Sequence, residues 1–185
     1  QLAGALDDLY AAAKDVPDLG VAVKNGATQF KLWAPTAQKV SVFTYDSGIG
    51  RAVAGAALAF DAATGVWSGS LAGDHTGKYY AYSVEVFVRG VGLVRNLVTD
   101  PYSVSLSVNS TRSQLVSFDD PALAPPGWKR LRKPPLQAFE DMVLYELHVR
   151  DYSAADPTVP DRLKGTYLAF AQHRSLGARH LRRLA

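Results

Sequence analysis

The segment Tyr145-Glu146-Leu147-His148-Val149-Arg150-Asp151 gathers carboxylate, imidazole and guanidinium groups in one short stretch. Paired carboxylates can divide acid and base work, but only when both reach one substrate. Glu146 and Asp151 are five positions apart, so on a strand they fall on opposite faces and form no working pair. Buried hydrogen bonding among Glu146, His148 and Arg150 is the role this spacing favours. His148 and His180 are isolated, and neither has a second His or a carboxylate at the spacing of a zinc site. Asp119-Asp120 is a short acidic pair in a proline-rich stretch, where carboxylates are normally just solvated. The chain has no cysteine, which removes a thiol nucleophile, a thiolate metal site and a disulfide frame together. No catalytic set and no metal site is predicted.

The elements that must position any site come next. A chain of 185 residues, 48% hydrophobic and 20% charged, is a globular domain, or one domain and a piece of another. No apolar run approaches the ~18–20 residues a membrane span needs, and the longest mixed stretch, Tyr79–Val88, contains Glu85, so no membrane partner is expected. Residues 1–128 carry nine Lys and Arg against eleven Asp and Glu, whereas residues 129–185 carry eleven against six. The positive residues of the second stretch are scattered among Lys129–Lys133, Arg162–Lys164 and Arg174–Arg183 without a nucleic-acid motif. They read as a solvated helix face, and no nucleic-acid partner is expected. Gln1 is no initiator, no signal peptide is visible, and the last residues, Arg182-Arg183-Leu184-Ala185, stop inside a helical pattern. Both ends are expected to be cut ends.

Leu2, Leu6, Leu9, Tyr10 and Ala13 share one face of a helix predicted over 2–14, stopped at Asp15-Val16-Pro17-Asp18. Alternation then predicts strands over Thr28–Ala34, Lys39–Tyr45, Val66–Leu71 and Lys78–Val88, punctuated by turns such as Asn25-Gly26 and Gly90–Gly92. Short strands without intervening helices argue for a β-sandwich. Residues 119–137, with prolines at 121, 125, 126, 134 and 135, read as an extended connector. Beyond it, the apolar run Met142–Val149 suits a buried parallel strand. A helix follows from Ser175, a plausible N-cap, with Ala178, Leu181, Leu184 and Ala185 on one face.

Four runs occur in one order: Phe30-Lys31-Leu32-Trp33-Ala34-Pro35, Thr99-Asp100-Pro101-Tyr102-Ser103, Tyr145 to Asp151, and Gly165-Thr166-Tyr167-Leu168-Ala169-Phe170. In this order they resemble the type I pullulanases and limit dextrinases, the starch-debranching branch of the α-amylase superfamily. The first two look like the N-terminal carbohydrate-binding module shared with isoamylases and branching enzymes. The last two look like the opening of the catalytic barrel. The resemblance implies a mainly β chain, an immunoglobulin-like β-sandwich followed by a truncated first βα unit of a (β/α)₈ barrel. Its divisions would be a helix and linker at 1–18, the sandwich at 19–118, the proline-rich linker at 119–137, and the start of the barrel at 138–185.

Family members hydrolyse α-1,6-glucosidic branch points with retention, which needs a nucleophilic carboxylate and a protonated acid about 5–5.5 Å apart. In the family these groups come from later barrel strands, and no position here matches those motifs. A barrel takes about 250 residues, while residues 138–185 number 48. The chain alone is therefore expected to be inactive, its partners being an α-glucan such as pullulan, starch or limit dextrin, and the missing barrel. The resemblance also leaves calcium possible, with Asp119-Asp120 as a site. It implies a secreted or periplasmic location in a bacterium, or a plastid in a plant. Barrel strands place functional groups at their C-terminal ends, which makes Asp151 and Tyr152 the positions nearest an active-site rim.

Glucan rings present apolar C–H faces that stack on aromatic planes, with polar neighbours for the hydroxyls. Trp33, Trp67 and Tyr79 lie on predicted strands near Lys31 and Lys78 and are the candidate substrate-binding residues. Trp33 falls opposite Phe30 and Leu32, which suits an outer face. The competing role for all three is filling the core or a domain seam. The alternative function is a stand-alone glycan-binding or scaffolding module without catalysis.

Overall fold

The computed structural model describes residues 4–133 and 135–184. The chain divides into two units, Gln1–Pro126 and Gly127–Ala185.

The first unit is a β-sandwich. Its strands are β1 (Gly20–Lys24), β2 (Ala27–Trp33), β3 (Ala37–Tyr45), β4 (Ala54–Ala57), β5 (Ala59–Asp61), β6 (Val66–Ala72), β7 (Tyr79–Val88), β8 (Gly92–Val98) and β9 (Ser113–Gln114). One antiparallel sheet has the order β1-β2-β6-β5; the other has β4-β3-β7-β8, with β9 paired to β7. Hairpin β1–β2 turns on Asn25 and Gly26, both at positive φ (53° and 73°), the geometry that matches strand twist and favours Asn-Gly. Leu58, buried between β4 and β5, is the single residue that carries the chain from one sheet to the other. Its N–H donates to Val40 O at 2.9 Å.

Alternation builds the core. Thr28, Phe30 and Leu32 of β2 are buried, whereas Gln29, Lys31 and Trp33 are half-buried on the opposite face. Val40 and Val42 of β3 and Tyr80, Tyr82 and Val84 of β7 face the first sheet's Phe30, Leu32 and Trp67 in one cluster. Phe30 meets Tyr80 and Tyr82 edge-on, with ring centroids 5.6 and 6.4 Å away. Burying each such ring contributes about 2–3 kcal/mol. The Tyr80 hydroxyl donates to Asp100 Oδ2 at 2.8 Å, and the Tyr102 N–H donates to Asp100 Oδ1 at 2.8 Å. The Asp100 N–H in turn donates to Ser113 Oγ at 2.8 Å, which ties the end of β8 to β9. Burial raises the Asp100 carboxyl above the ordinary carboxylate range, against the pull of those two donors.

The observed β2, β3, β6 and β7 lie within a residue or two of the strands that alternation predicts. Alternation does not mark β4 and β5, because Ala-Gly-Ala-Ala and Ala-Phe-Asp offer almost no β-branched surface. The N-terminal helix is shorter than expected. α1 (Ala5–Leu9) breaks at Tyr10 into a 3₁₀ turn, Ala11–Asp15, that ends before Pro17; Leu2 lies outside the described residues.

Among the described residues the second unit holds two α-helices, α2 (Val149–Ala154) and α3 (Leu176–Leu184), with two 3₁₀ segments before α2 and two between the helices. Its small core is Val159, Leu163 and Ala169, with Tyr152 against it. Tyr152 stacks on Phe170 at 4.0 Å and 6°. Only glycine fits at 177, since a Cβ there would stand 2.6 Å from the Tyr152 ring. Ser175 is the N-cap that the sequence suggests: its Oγ accepts the Ala178 N–H at 3.0 Å. Thr158 Oγ1 and Asp156 Oδ2 accept the neighbouring N–H groups of Leu176 and Gly177. Three otherwise orphaned donors of the first turn are thereby satisfied. No described helix is long and apolar enough to cross a membrane.

Two expectations need correction. The run Met142–Val149 is not a strand: no residue from 142 to 148 pairs with a strand among the described residues, and Val149 opens α2 instead. A strand exists through its ladder, and apolar character without a neighbour leaves the backbone unpaired. Nor is the proline-rich connector wholly extended, because Pro121–Leu123 and Trp128–Arg130 form 3₁₀ turns. Pro134 and Ala185 lie outside the described residues.

Candidate functional site

On β3 and β7 the residues that alternate with the buried core valines and tyrosines point outward. They form the outer face of the second sheet. The register sets Phe43 across from Ala81, Tyr45 from Tyr79, and Ser83 from Leu97 of β8. A hollow of about 380 Å³ opens there between Phe43, Tyr45, Ala52, Ser83, Arg95 and Leu97. A second, of about 450 Å³, adjoins it over Ser41, Phe43, Ala52, Val53 and the four residues of β4. The two share Phe43 and Ala52, so they form one groove with an aromatic floor.

Its polar groups are placed by ion pairing. Arg95 Nε and Nη2 both donate to Glu85 Oε1, at 2.9 and 2.6 Å. Leu97 is 60% exposed and forms an apolar wall. The rim is the β3–β4 loop, whose Ser47 and Gly50 carbonyls accept hydrogen bonds from Arg112 at 2.8 and 2.6 Å. An aromatic floor, an aliphatic wall and a few fixed polar groups suit a flat ring rimmed with hydroxyls.

The structure does not bring the three sequence-derived candidates together. Trp33 lies on the outer face of the first sheet, paired with Val66, and its indole N–H donates to Thr64 O at 3.0 Å. Beside it, Gln29, Lys31, Ser68 and Ser70 line a shallow polar hollow. Trp67 is on the inner face of that sheet, 7% exposed. Its N–H donates to Ala34 O at 3.0 Å, and Phe60 covers its ring at 5.0 Å. Tyr79 is half-buried on the outer face of the second sheet, beside Tyr45 and the groove. Phe43, Tyr45, Leu97 and Arg112 do not stand out in the sequence as site residues. The alternation of Lys39–Tyr45 does put Phe43 and Tyr45 opposite the core valines. Nothing local marks Arg112, whose partners are more than sixty positions away.

In the second unit, Glu146, His148 and Arg150 do not form the expected buried hydrogen-bonded set; all three are exposed. Arg150 Nε instead donates to Asp151 Oδ1 at 3.1 Å, and His148 Nδ1 lies 3.9 Å from Asp151 Oδ2. Tyr145, Asp151, Tyr152 and His180 line a hollow of about 490 Å³. Asp119-Asp120 does not fit calcium. The Asp120 carboxylate accepts the Ala122 N–H at 2.9 Å, and no group of three or more His, Cys, Asp or Glu among the described residues could hold a metal ion.

Comparison with known proteins decides the family. Residues 18–103 match Carbohydrate-binding module 48 (Isoamylase N-terminal domain). A pullulanase of Klebsiella pneumoniae is 40% identical over the whole chain, and the chloroplastic pullulanase 1 of Arabidopsis thaliana is also 40% identical over the whole chain. Along its whole length this chain matches the N-terminal region of pullulanases, module 48 included. It spans 17% and 19% of those two proteins. The solved structure of a Klebsiella pneumoniae pullulanase complexed with maltotriose superimposes with a TM-score of 0.84 at 38% identity, covering 97% of this chain and 18% of that one. The groove and the Trp33 surface both lie on the sandwich that contains the module 48 match.

Proposed function

We propose that this chain is the sandwich and barrel-entry region of a debranching hydrolase that cleaves α-1,6 branch points in pullulan, starch or glycogen-type glucans. The observation that carries the proposal is the 40% identity to pullulanases along the entire chain, across both units. On this reading the divisions are 1–18, 19–118, 119–137 and 138–185, and the sandwich is immunoglobulin-like. Residues 138–185 begin a (β/α)₈ barrel in which Met142–Val149 becomes the first strand once neighbouring strands supply its ladder. Its exposed apolar side chains support this role, since a barrel strand is covered on both faces. The catalytic carboxylates come from later strands.

The sandwich contributes glucan binding. The groove over Phe43 and Leu97, with Tyr79 at its end, offers the ring-stacking chemistry that the sequence reading assigns to aromatic side chains. Trp33 provides a second surface flanked by Lys31 and Gln29, and Trp67 supports both from the core. The solved relative bound to maltotriose favours this ligand class. Assay of the protein encoded through and beyond Ala185 is the test. Release of reducing sugar from pullulan, abolished in a variant lacking one barrel carboxylate, is expected. A gene that continues into no barrel would replace this reading with a stand-alone glycan-binding module.

A further inference from the structure

Arg112 precedes β9, and its guanidinium makes three long-range contacts. It lies 3.6 Å from the centroid of the Tyr45 ring. Nη1 donates to Ser47 O at 2.8 Å, and Nη2 donates to Gly50 O at 2.6 Å. Its own backbone is fixed in turn: the Arg112 N–H donates to Ser107 Oγ at 3.0 Å, and Arg112 O accepts the Ser107 N–H at 2.9 Å. The intervening turn holds Asn109 and Ser110 at φ of 58° and 55°. Non-glycine residues in that region cost about 1–2 kcal/mol each and persist where the surroundings over-determine them.

Residues 46–53 contain no strand, and Ile49 and Val53 are exposed. The other ties of this β3–β4 loop lie at its ends or within itself: the Lys78–Asp46 salt bridge at 3.0 Å, the Val53 N–H donating to Thr44 O at 2.8 Å, and the Ser47 hydroxyl donating to Ile49 O at 2.6 Å. Apart from Val53 to Thr44 on neighbouring β3, only Arg112 among the described residues ties the middle of the loop by hydrogen bonds to a distant part of the sandwich. Yet this loop supplies Ala52, which lines both hollows of the groove. A loop without strand pairing that is pinned through two carbonyls by one planar fork takes a single position, a geometry that lysine cannot reproduce.

We propose that Arg112 is a positioning residue for glucan binding: it sets the β3–β4 loop, and with it Ala52 and the ring of Tyr45, in the shape that accepts an α-glucan in the groove. The proposal rests on the glucan-binding reading above. The cation covers one face of Tyr45, so sugar stacking falls to the neighbouring floor, Phe43.

The test titrates the 185-residue chain with β-cyclodextrin and maps amide chemical shifts. Wild type is expected to bind with a dissociation constant of ~1 mM, typical of weak affinity, with shifts at Phe43, Ala52 and Leu97. Arg112→Ala should weaken binding about tenfold, the order of a single charge-assisted hydrogen bond, and speed hydrogen exchange at Ile49 and Ala52. Arg112→Lys keeps a cation near Tyr45 and should recover only part of the loss. Should Arg112→Ala fail to fold, Arg112→Lys alone decides. Wild-type affinity in either variant overturns the positioning role while leaving glucan binding in place. Shifts clustered at Trp33 overturn the groove and Arg112 together but spare the glucan reading. No binding by wild type overturns both.

Discussion

Both units are rich in large apolar side chains, yet they dispose of them differently. In the sandwich, Phe30, Val40, Val42 and Tyr82 are fully buried because each strand finds its neighbours within the same unit. In the second unit, Met142, Val143, Leu144 and Tyr145 stay exposed, Leu144 by 84%. The sandwich strands alternate, so one cover, the opposing sheet, satisfies each of them. A continuous apolar run needs cover on two faces and partners on two edges, and the described part of the second unit supplies only two short helices and a few turns. The contrast shows that apolar content alone does not make a core. The period of the pattern decides how many neighbours a segment requires.

Limited trypsin digestion should expose the contrast most sharply. The first cuts are expected in Lys129–Lys133, which is exposed and held by a single 3₁₀ turn. Residues 138–184 should then disappear at least about tenfold faster than the sandwich, in line with their weaker local protection. Equal persistence of both, followed by mass spectrometry, would erase the distinction.

A core truncation comes next in size. Phe30→Ala should cost the sandwich about 3–5 kcal/mol, the usual range for a buried phenylalanine, read from urea unfolding followed by the near-ultraviolet signal of its tyrosines. Leu163→Ala should leave that transition in place. If it moves the transition as far as Phe30→Ala does, the two units do not unfold separately.

Within the second unit, α3 depends on its cap. Ser175→Ala should cost about 1 kcal/mol and show as faster hydrogen exchange at Ala178, with the sandwich amides unchanged. Unaltered exchange at Ala178 would mean that other contacts hold the helix.

The smallest effect is one of pH, confined to the sandwich. Because burial raises the folded-state value of Asp100 above the ordinary 3.8, its contribution is greatest below the unfolded value and is lost as pH rises through the folded one. Sandwich stability should therefore fall as pH climbs from about 4 through the Asp100 titration, and Asp100→Asn should flatten that slope. A wild-type slope that persists in the variant would assign it to another group.

Local pattern was enough for the parts of this protein whose energetics are local. Alternation of period two located β2, β3, β6 and β7, Asn25-Gly26 marked a hairpin turn, and Ser175 marked a helix start, because each reflects backbone geometry within a few residues. The four ordered runs beginning at Phe30-Lys31-Leu32-Trp33 were also enough to place the chain with the pullulanases. Tertiary structure decided the rest. Trp33 and Trp67 look alike as strand tryptophans, but pairing of Leu32 with Trp67 and of Trp33 with Val66 sends their side chains to opposite faces of one sheet. The groove depends on four strands, a loop and Arg112, and the loop's carbonyls meet that side chain across more than sixty residues. The apolar run Met142–Val149 carried a strand's composition without a strand's structure, because a ladder is a property of two segments and only one of them can be read from the run itself.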